Sequence, residues 1–355
     1  MDQGDRVLRP SAADPVRRLA HDAVDRVPPG AASFVMASGI VATSLRQQGF
    51  TAVSSALLVV AVVGLVVIVG VQVARLLSRP AEVVGDARNP GKGFGYLTLV
   101  AALDVVTAAL VPHGFPALAT ATLSVAAVLW LVLTYGVPAA LMLRTAPSPT
   151  PADVDGSWLL WVVGTQSLAI AVMAVGPGGA EVTATVAVAL WGAGTVLYVV
   201  LAAIVLSRLL TAPNTRQTVT PAYWILTGAT AISALAAARV LSLPAGPAIL
   251  DVTAGFVAGM AIALWAFGTW WFPLLVVLGV WRYVVQRRPA RYEAGLWSIV
   301  FPLGTYAAAC TALGEAVRLP FLRTAGAVAT IVAVAAWVAT TVLMVVAARG
   351  WFRAR

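Results

Sequence analysis

Cysteine and histidine are almost absent from this chain: Cys310 is its single thiol, and His21 and His113 are its only imidazoles. One cysteine excludes an internal disulfide and any multi-cysteine metal site. Two distant histidines, with few carboxylates in the apolar segments, provide neither a metal-ligand cluster nor a nucleophile–base pair on facing helices. No enzyme activity, metal or cofactor is therefore expected. Charge is scarce as well. Only 10% of the 355 residues are charged, whereas 60% are hydrophobic, and a soluble body of this size would need far more charge on its surface. The N-terminal arm also lacks a short apolar core with a cleavage site, so no signal peptide is expected.

What is present is a series of ten long apolar stretches, near residues 31–46, 51–77, 94–112, 116–143, 158–176, 181–208, 222–242, 247–284, 294–316 and 324–349. About 20 such residues cross the hydrocarbon layer as a helix, because every backbone N–H and C=O must then be bonded within the segment. Pro28-Pro29-Gly30, Asn89-Pro90-Gly91 and Gly176-Pro177-Gly178-Gly179 punctuate the boundaries. Odd-numbered stretches are mostly short, while even-numbered ones reach about 25 residues or more, enough to tilt or project beyond the lipid. The connector inside an odd–even pair is brief, as at Arg46-Gln47-Gln48-Gly49. The pattern predicts an all-α, polytopic integral membrane protein with ten transmembrane helices as five helical hairpins. It divides into a basic N-terminal arm (1–30), a membrane domain (31–349) and a tail (350–355).

Orientation follows from the basic residues. Nineteen of the 23 fall on one side: Arg6, Arg9, Arg17, Arg18 and Arg26 in the arm, then Arg75, Arg79, Arg88, Lys92, Arg144, Arg208, Arg216, Arg282, Arg287, Arg288, Arg291, Arg349, Arg353 and Arg355. The opposite side has Arg46, Arg318 and Arg323, and Arg239 lies within a span. Both termini are thus expected in the cytoplasm of a multi-pass plasma-membrane protein. The net charge of +9 is assigned to topology and anionic lipid head groups, not to nucleic acid.

Ionisable residues within a span are costly and mark a pathway or a compensating pair. Asp104 falls near the middle of the third span, where it must be protonated, hydrated or paired. It is a candidate for proton coupling or for a buried structural partner. Arg239, about one turn from the external boundary, either snorkels to the interface or draws anions into a vestibule. The odd spans share small and weakly polar residues: Ser38-Gly39, Gly164-Thr165-Gln166-Ser167 and Thr227-Gly228. Such residues serve close helix packing, or line a path that partly replaces an anion's water. All five odd spans share such residues while the even spans read mainly as Val, Leu and Ala, which suggests an inner ring of odd helices around a central pore, with even helices facing lipid. In the ninth span Pro302 removes a helix N–H and should bend the helix beside Phe301. That ring is either a packed side chain or a hydrophobic constriction. Cys310 is read as a small packing residue, and Trp270-Trp271-Phe272 as packing around Pro273.

Five segments, in order, resemble the tellurite-resistance/dicarboxylate transporter family of the voltage-dependent anion channel superfamily. They are Phe34 through Val41, Val163 through Ser167, Tyr223-Trp224-Ile225, Trp270 through Pro273 and Trp297 through Gly304. Met36-Ala37-Ser38-Gly39-Ile40-Val41 is similar to the Met-Gly-Thr-Gly-Ile-Val of the permease and sulfite-exporter branch, with Ala37 and Ser38 in place of Gly and Thr. The resemblance implies five hairpins about a quasi-fivefold axis, odd helices lining the pore and a homotrimer. It also implies a phenylalanine plug, for which Phe301 is the matching position. The resulting expectation is transport of small inorganic anions or C4-dicarboxylates such as malate. Phe301 is the gate, Pro302 the kink, and Ser38, Gly39, Gln166, Thr227, Gly228 and Thr305 the lining. Asp104 and Arg239 are the charged members of the path, and a proton-coupled carrier or a sulfite or tellurite exporter is the alternative.

Overall fold

The computed structural model describes residues 27–143, 150–215, 217–287, 289 and 291–353. Most of the N-terminal arm, with its five arginines and His21, lies outside the described residues, as do Arg144, Arg216, Arg288 and Arg355. Every regular element among the described residues is helical. In chain order the α-helices are α1 (Ser33–Gln47), α2 (Thr51–Ser78), α3 (Pro80–Ala87), α4 (Leu97–Leu110), α5 (Pro116–Met142), α6 (Leu160–Val175), α7 (Gly179–Thr211), α8 (Ile225–Leu241), α9 (Ala248–Val280), α10 (Trp297–Ala316) and α11 (Pro320–Arg353).

Length alternates along this series. Setting aside α3, helices of 14 to 20 residues (α1, α4, α6, α8, α10) are each followed by one of 27 to 34 residues. Nine helical segments among the described residues are long and apolar enough to cross a bilayer. The first stretch is shorter: α1 has 15 residues, entered through the four-residue 3-10 turn Pro29–Ala32. The eighth stretch, expected to run to 284, leaves α-geometry at Val280 and finishes as a π-turn, Trp281–Val285.

Each short helix packs along the long helix that follows it, and the short helices pack on one another in the order α1, α4, α6, α8, α10 and back to α1. Each long helix also touches the next short one, with α11 reaching α1. Burial separates the two sets. The most apolar windows of the segments carrying α4, α6, α8 and α10 are 67% to 83% buried, against 11% to 44% for the long helices. Exposed Val and Leu along α2, α5 and α11 face outward, as a helix in lipid requires.

Small residues let the inner helices approach. A Cβ on Gly39 would lie 2.5 Å from Val105 Cγ1 across the α1–α4 contact. One on Gly304 would lie 2.8 Å from Ile40 Cγ2, and one on Gly228 would lie 2.9 Å from Pro302 Cγ. A second device repeats around the ring, in which an indole N–H on a long helix donates to the next short helix. Trp130 donates to Thr165 Oγ1 (3.1 Å), Trp191 to the Ser233 carbonyl (3.1 Å), Trp265 to Cys310 Sγ (3.2 Å) and Trp337 to Ser38 Oγ (2.9 Å).

The face where the short helices begin is pinned by arginines near the ends of long helices. Arg75, Arg208 and Arg282 are all buried. Arg75 donates to Asp86 at 2.6 Å, with Lys92 on the other carboxylate oxygen at 2.9 Å. Arg208 donates to Asn214 at 2.6 Å, and Arg282 pairs with Glu293 at 2.9 Å. A buried guanidinium needs such acceptors: a carboxylate for Arg75 and Arg282, and the neutral Asn214 amide oxygen for Arg208.

Candidate functional site

The C-terminal parts of α1, α4, α6 and α8 stand apart around a cavity of about 570 Å³. Ile40, Val105, Ile170 and Ile232 give it apolar walls, while Thr43, Gln47, Ser54 and Ser167 add polar groups. Among its lining residues none comes from α10, which closes the ring beside it.

Asp104 reaches this cavity from α4 and is 1% exposed. Its Oδ2 lies 3.1 Å from Ser167 Oγ, and its Oδ1 has no partner among the described residues. Ser167 Oγ is also 3.1 Å from the Gly164 carbonyl. One hydroxyl proton serves only one of these acceptors at a time. If it goes to the carbonyl, the Asp104 contact requires a protonated carboxyl donating to Ser167. At the other end of the cavity lie Arg239, an exposed residue of α8, and Arg46, the last basic residue of α1. His113 joins them from the 3-10 turn Val111–His113. Arg46 Nη1 is 3.4 Å from His113 Nε2, and Arg46 Nη2 is 3.3 Å from the Pro112 carbonyl. The cavity thus runs from a cationic rim to a buried carboxyl.

Of the gate, kink, lining and charged residues assigned from sequence, only Asp104 and Arg239 line the cavity, joined by Ser167 from the small polar run of the fifth span. Ser38 accepts from Trp337 on α11, and Gln166 Nε2 donates to the Trp191 carbonyl on α7 at 3.1 Å. Thr227 donates to the Gly268 carbonyl on α9 at 2.7 Å, and Thr305 to the Phe301 carbonyl within α10 at 2.8 Å. Gly39 and Gly228 sit in helix–helix contacts, Gly228 against the ring of Pro302. α10 continues through Pro302, and Phe301 is 2% exposed. Neighbouring contacts fix its level. Gly304 meets Ile40, Gln47 reaches the Ala308 carbonyl and Gln48 reaches Thr311, so α10 and α1 run parallel. At 1.5 Å per residue, Phe301 lies about 4.5 Å below Gly304, and so below Ile40 of the cavity wall. The Arg46–His113 contact was missed in the sequence, although both residues fall on connectors at the same face.

A ring of short, glycine-packed helices, sheathed by long apolar ones and enclosing a charged cavity, defines a polytopic helical membrane protein. The chain belongs to the voltage-dependent anion channel family, whose model matches residues 26–345, and that family's work is moving anions across membranes. An uncharacterized membrane protein of Mycobacterium tuberculosis is 45% identical over 148 residues, 42% of this chain and 75% of that protein. An uncharacterized transporter of Methanocaldococcus jannaschii is 26% identical over 118 residues, 33% of this chain and 32% of its own.

Proposed function

We propose that this protein carries small inorganic anions or C4-dicarboxylates such as malate across the plasma membrane, along the axis of the ring α1–α4–α6–α8–α10. In this reading ten crossings form five hairpins, both termini are cytoplasmic, and the cavity opens to the outside. The observation that carries it is the cavity itself, with Arg46 and Arg239 at its rim and Asp104 at its closed end. Phe301 is the gate. Its position about one turn beyond the level of Ile40 supports a plug between the cavity and the opposite face. Pro302 fixes that plug by packing its ring into the space left by Gly228. Ser38, Gly39, Gln166, Thr227, Gly228 and Thr305 serve the path by holding the ring closed around it. A homotrimer would bury part of the apolar surface of the long helices, which lipid otherwise covers.

Anion flux into proteoliposomes, compared for chloride, nitrate, sulfite and malate, tests the reading. Phe301→Ala should raise flux, and a variant that folds yet conducts no better than wild type refutes the gate. A second reading, a proton-coupled carrier or exporter, is favoured by the Asp104 oxygen left without a partner at the cavity. There Asp104→Asn should abolish pH-driven uptake while sparing passive flux, and intact pH drive in that variant rules it out.

A further inference from the structure

Anion passage does not by itself call for the contact between Arg46 and His113, and the hydrogen bonds around that contact limit which ring nitrogen can do what. His113 Nδ1 is 2.7 Å from the Ala109 carbonyl, an acceptor only, so Nδ1 carries the proton. Nε2 lies 3.4 Å from Arg46 Nη1 and 3.2 Å from Ser55 Oγ. A guanidinium can only donate, so a hydrogen bond between them has Nε2 accepting from Arg46 on a neutral imidazole. Arg46 is therefore tied back by two acceptors, this nitrogen and the Pro112 carbonyl.

Protonation of Nε2 turns the acceptor into a donor and sets two positive charges against each other. Arg46 loses its partner, but His113 does not. Ser55 Oγ, 3.0 Å from the Thr51 carbonyl, can give its proton there and accept from Nε2–H. The surrounding charges do not cancel the effect. α2 lines the cavity with Ser54 and Leu58, and α6 with Ser167, Ile170, Met173 and Ala174, none of them charged. Asp104 lies nine residues back along the chain from His113, about 13 Å by helical rise. Arg239 stands on α8 with Glu315 of α10 acting on it through charge.

We propose that His113 is a proton-operated catch on Arg46. When neutral it holds the guanidinium against α4, and when protonated it releases it to join Arg239 in a two-cation site for the entering anion. Acid on this face thus increases anion capture. By reciprocity a bound anion raises the proton affinity of His113. The proposal rests on the transport reading above for its consequence, but not for its geometry.

Two measurements on the full chain separate the ideas. The first is nitrate flux in proteoliposomes with equal pH on both faces, so that no gradient acts through Asp104. Between about pH 7.5 and about pH 5.5, the wild-type KM should fall about fivefold, the effect of one added charge near the anion at the protein surface. Maximal rate should change far less. His113→Gln, whose amide oxygen accepts from Arg46 at every pH, should give a flat profile, as should Arg46→Gln. Arg46→Lys should recover part of the slope. The second is the titration of the His113 imidazole by NMR in nanodiscs, assigned by loss of the signal in His113→Gln, where added nitrate should raise the midpoint. A wild-type pH slope in His113→Gln, or a midpoint that ignores nitrate, overturns the catch and leaves transport standing. A midpoint that moves in a protein without flux overturns transport and leaves the catch.

Discussion

Alanine in place of Gly39 or Gly304 should loosen the inner ring by a predictable amount. The new methyl at Gly39 would lie 2.5 Å from Val105 Cγ1, and that at Gly304 would lie 2.8 Å from Ile40 Cγ2 and 3.4 Å from the Val41 nitrogen. Carbon atoms rest at about 3.5–4.0 Å, so the helices must part by roughly 1 Å or the neighbours must change rotamer. Overpacking of this kind costs about 1–3 kcal/mol. Gly304 would meet two β-branched side chains, Ile40 Cγ2 at 2.8 Å and Val41 Cγ2 at 3.1 Å, which have few rotamers to escape into. Gly259 on α9 is the control, since a Cβ there meets nothing within 4 Å. Alanine there should gain about 1 kcal/mol of helix propensity. The chain supplies its own reporter, because Cys310 is its single thiol and is fully buried. A thiol-reactive fluorophore in detergent micelles will report its exposure on heating. Gly39→Ala and Gly304→Ala should melt roughly 2–6 °C below wild type, scaling the dependence known for smaller domains. If both melt at or above Gly259→Ala, the close-packed ring is wrong.

Trp337→Phe removes the donor to Ser38 while keeping most of the aromatic volume, and should cost about 1 kcal/mol in the same assay. A loss no larger than that of a lipid-facing substitution such as Val338→Ala would show that the indole contact is idle. At the opposite face, burial alone would raise the Asp86 carboxyl. Hydrogen bonds and charge from Lys92 and Arg75 outweigh that effect and hold it below the usual carboxylate value. A group held down in the folded state contributes stability present above about pH 4 and lost as pH falls through its folded value. Asp86→Asn should therefore melt lower than wild type near neutrality, by about 3 kcal/mol, the lower end for a broken buried pair. The difference should close as wild type is acidified, and a constant gap down to about pH 3 would contradict the assignment.

Much of this architecture is written in the alternation of composition. Small residues such as Ser38-Gly39 and Thr227-Gly228 mark the short helices, and runs such as Val59-Val60 and Val66-Val67 mark the long ones. Asp104 and Arg239 are legible because a charge in an apolar span has few explanations. Rotation about each helix axis is not legible, since a helix apolar on every side carries no stripe to orient it. Thus Gln166 and Thr227 could be placed on inner helices, but their turn toward Trp191 and Gly268 could not. Lengths blur for a related reason. Arg282 continues the eighth apolar stretch, yet it is buried against Glu293 in a π-turn instead of marking the helix's exposed end.

The hydrogen bond from Trp337 to Ser38 joins residues 299 positions apart. A protein threaded into a membrane from its N-terminus must therefore keep its first helix waiting until α11 has followed it. Until α11 arrives, the seam between α1 and α10 lacks its outer cover and the Ser38 hydroxyl lacks its indole donor. Because the same neighbour contacts recur at every step around the ring, no single pair is the natural start.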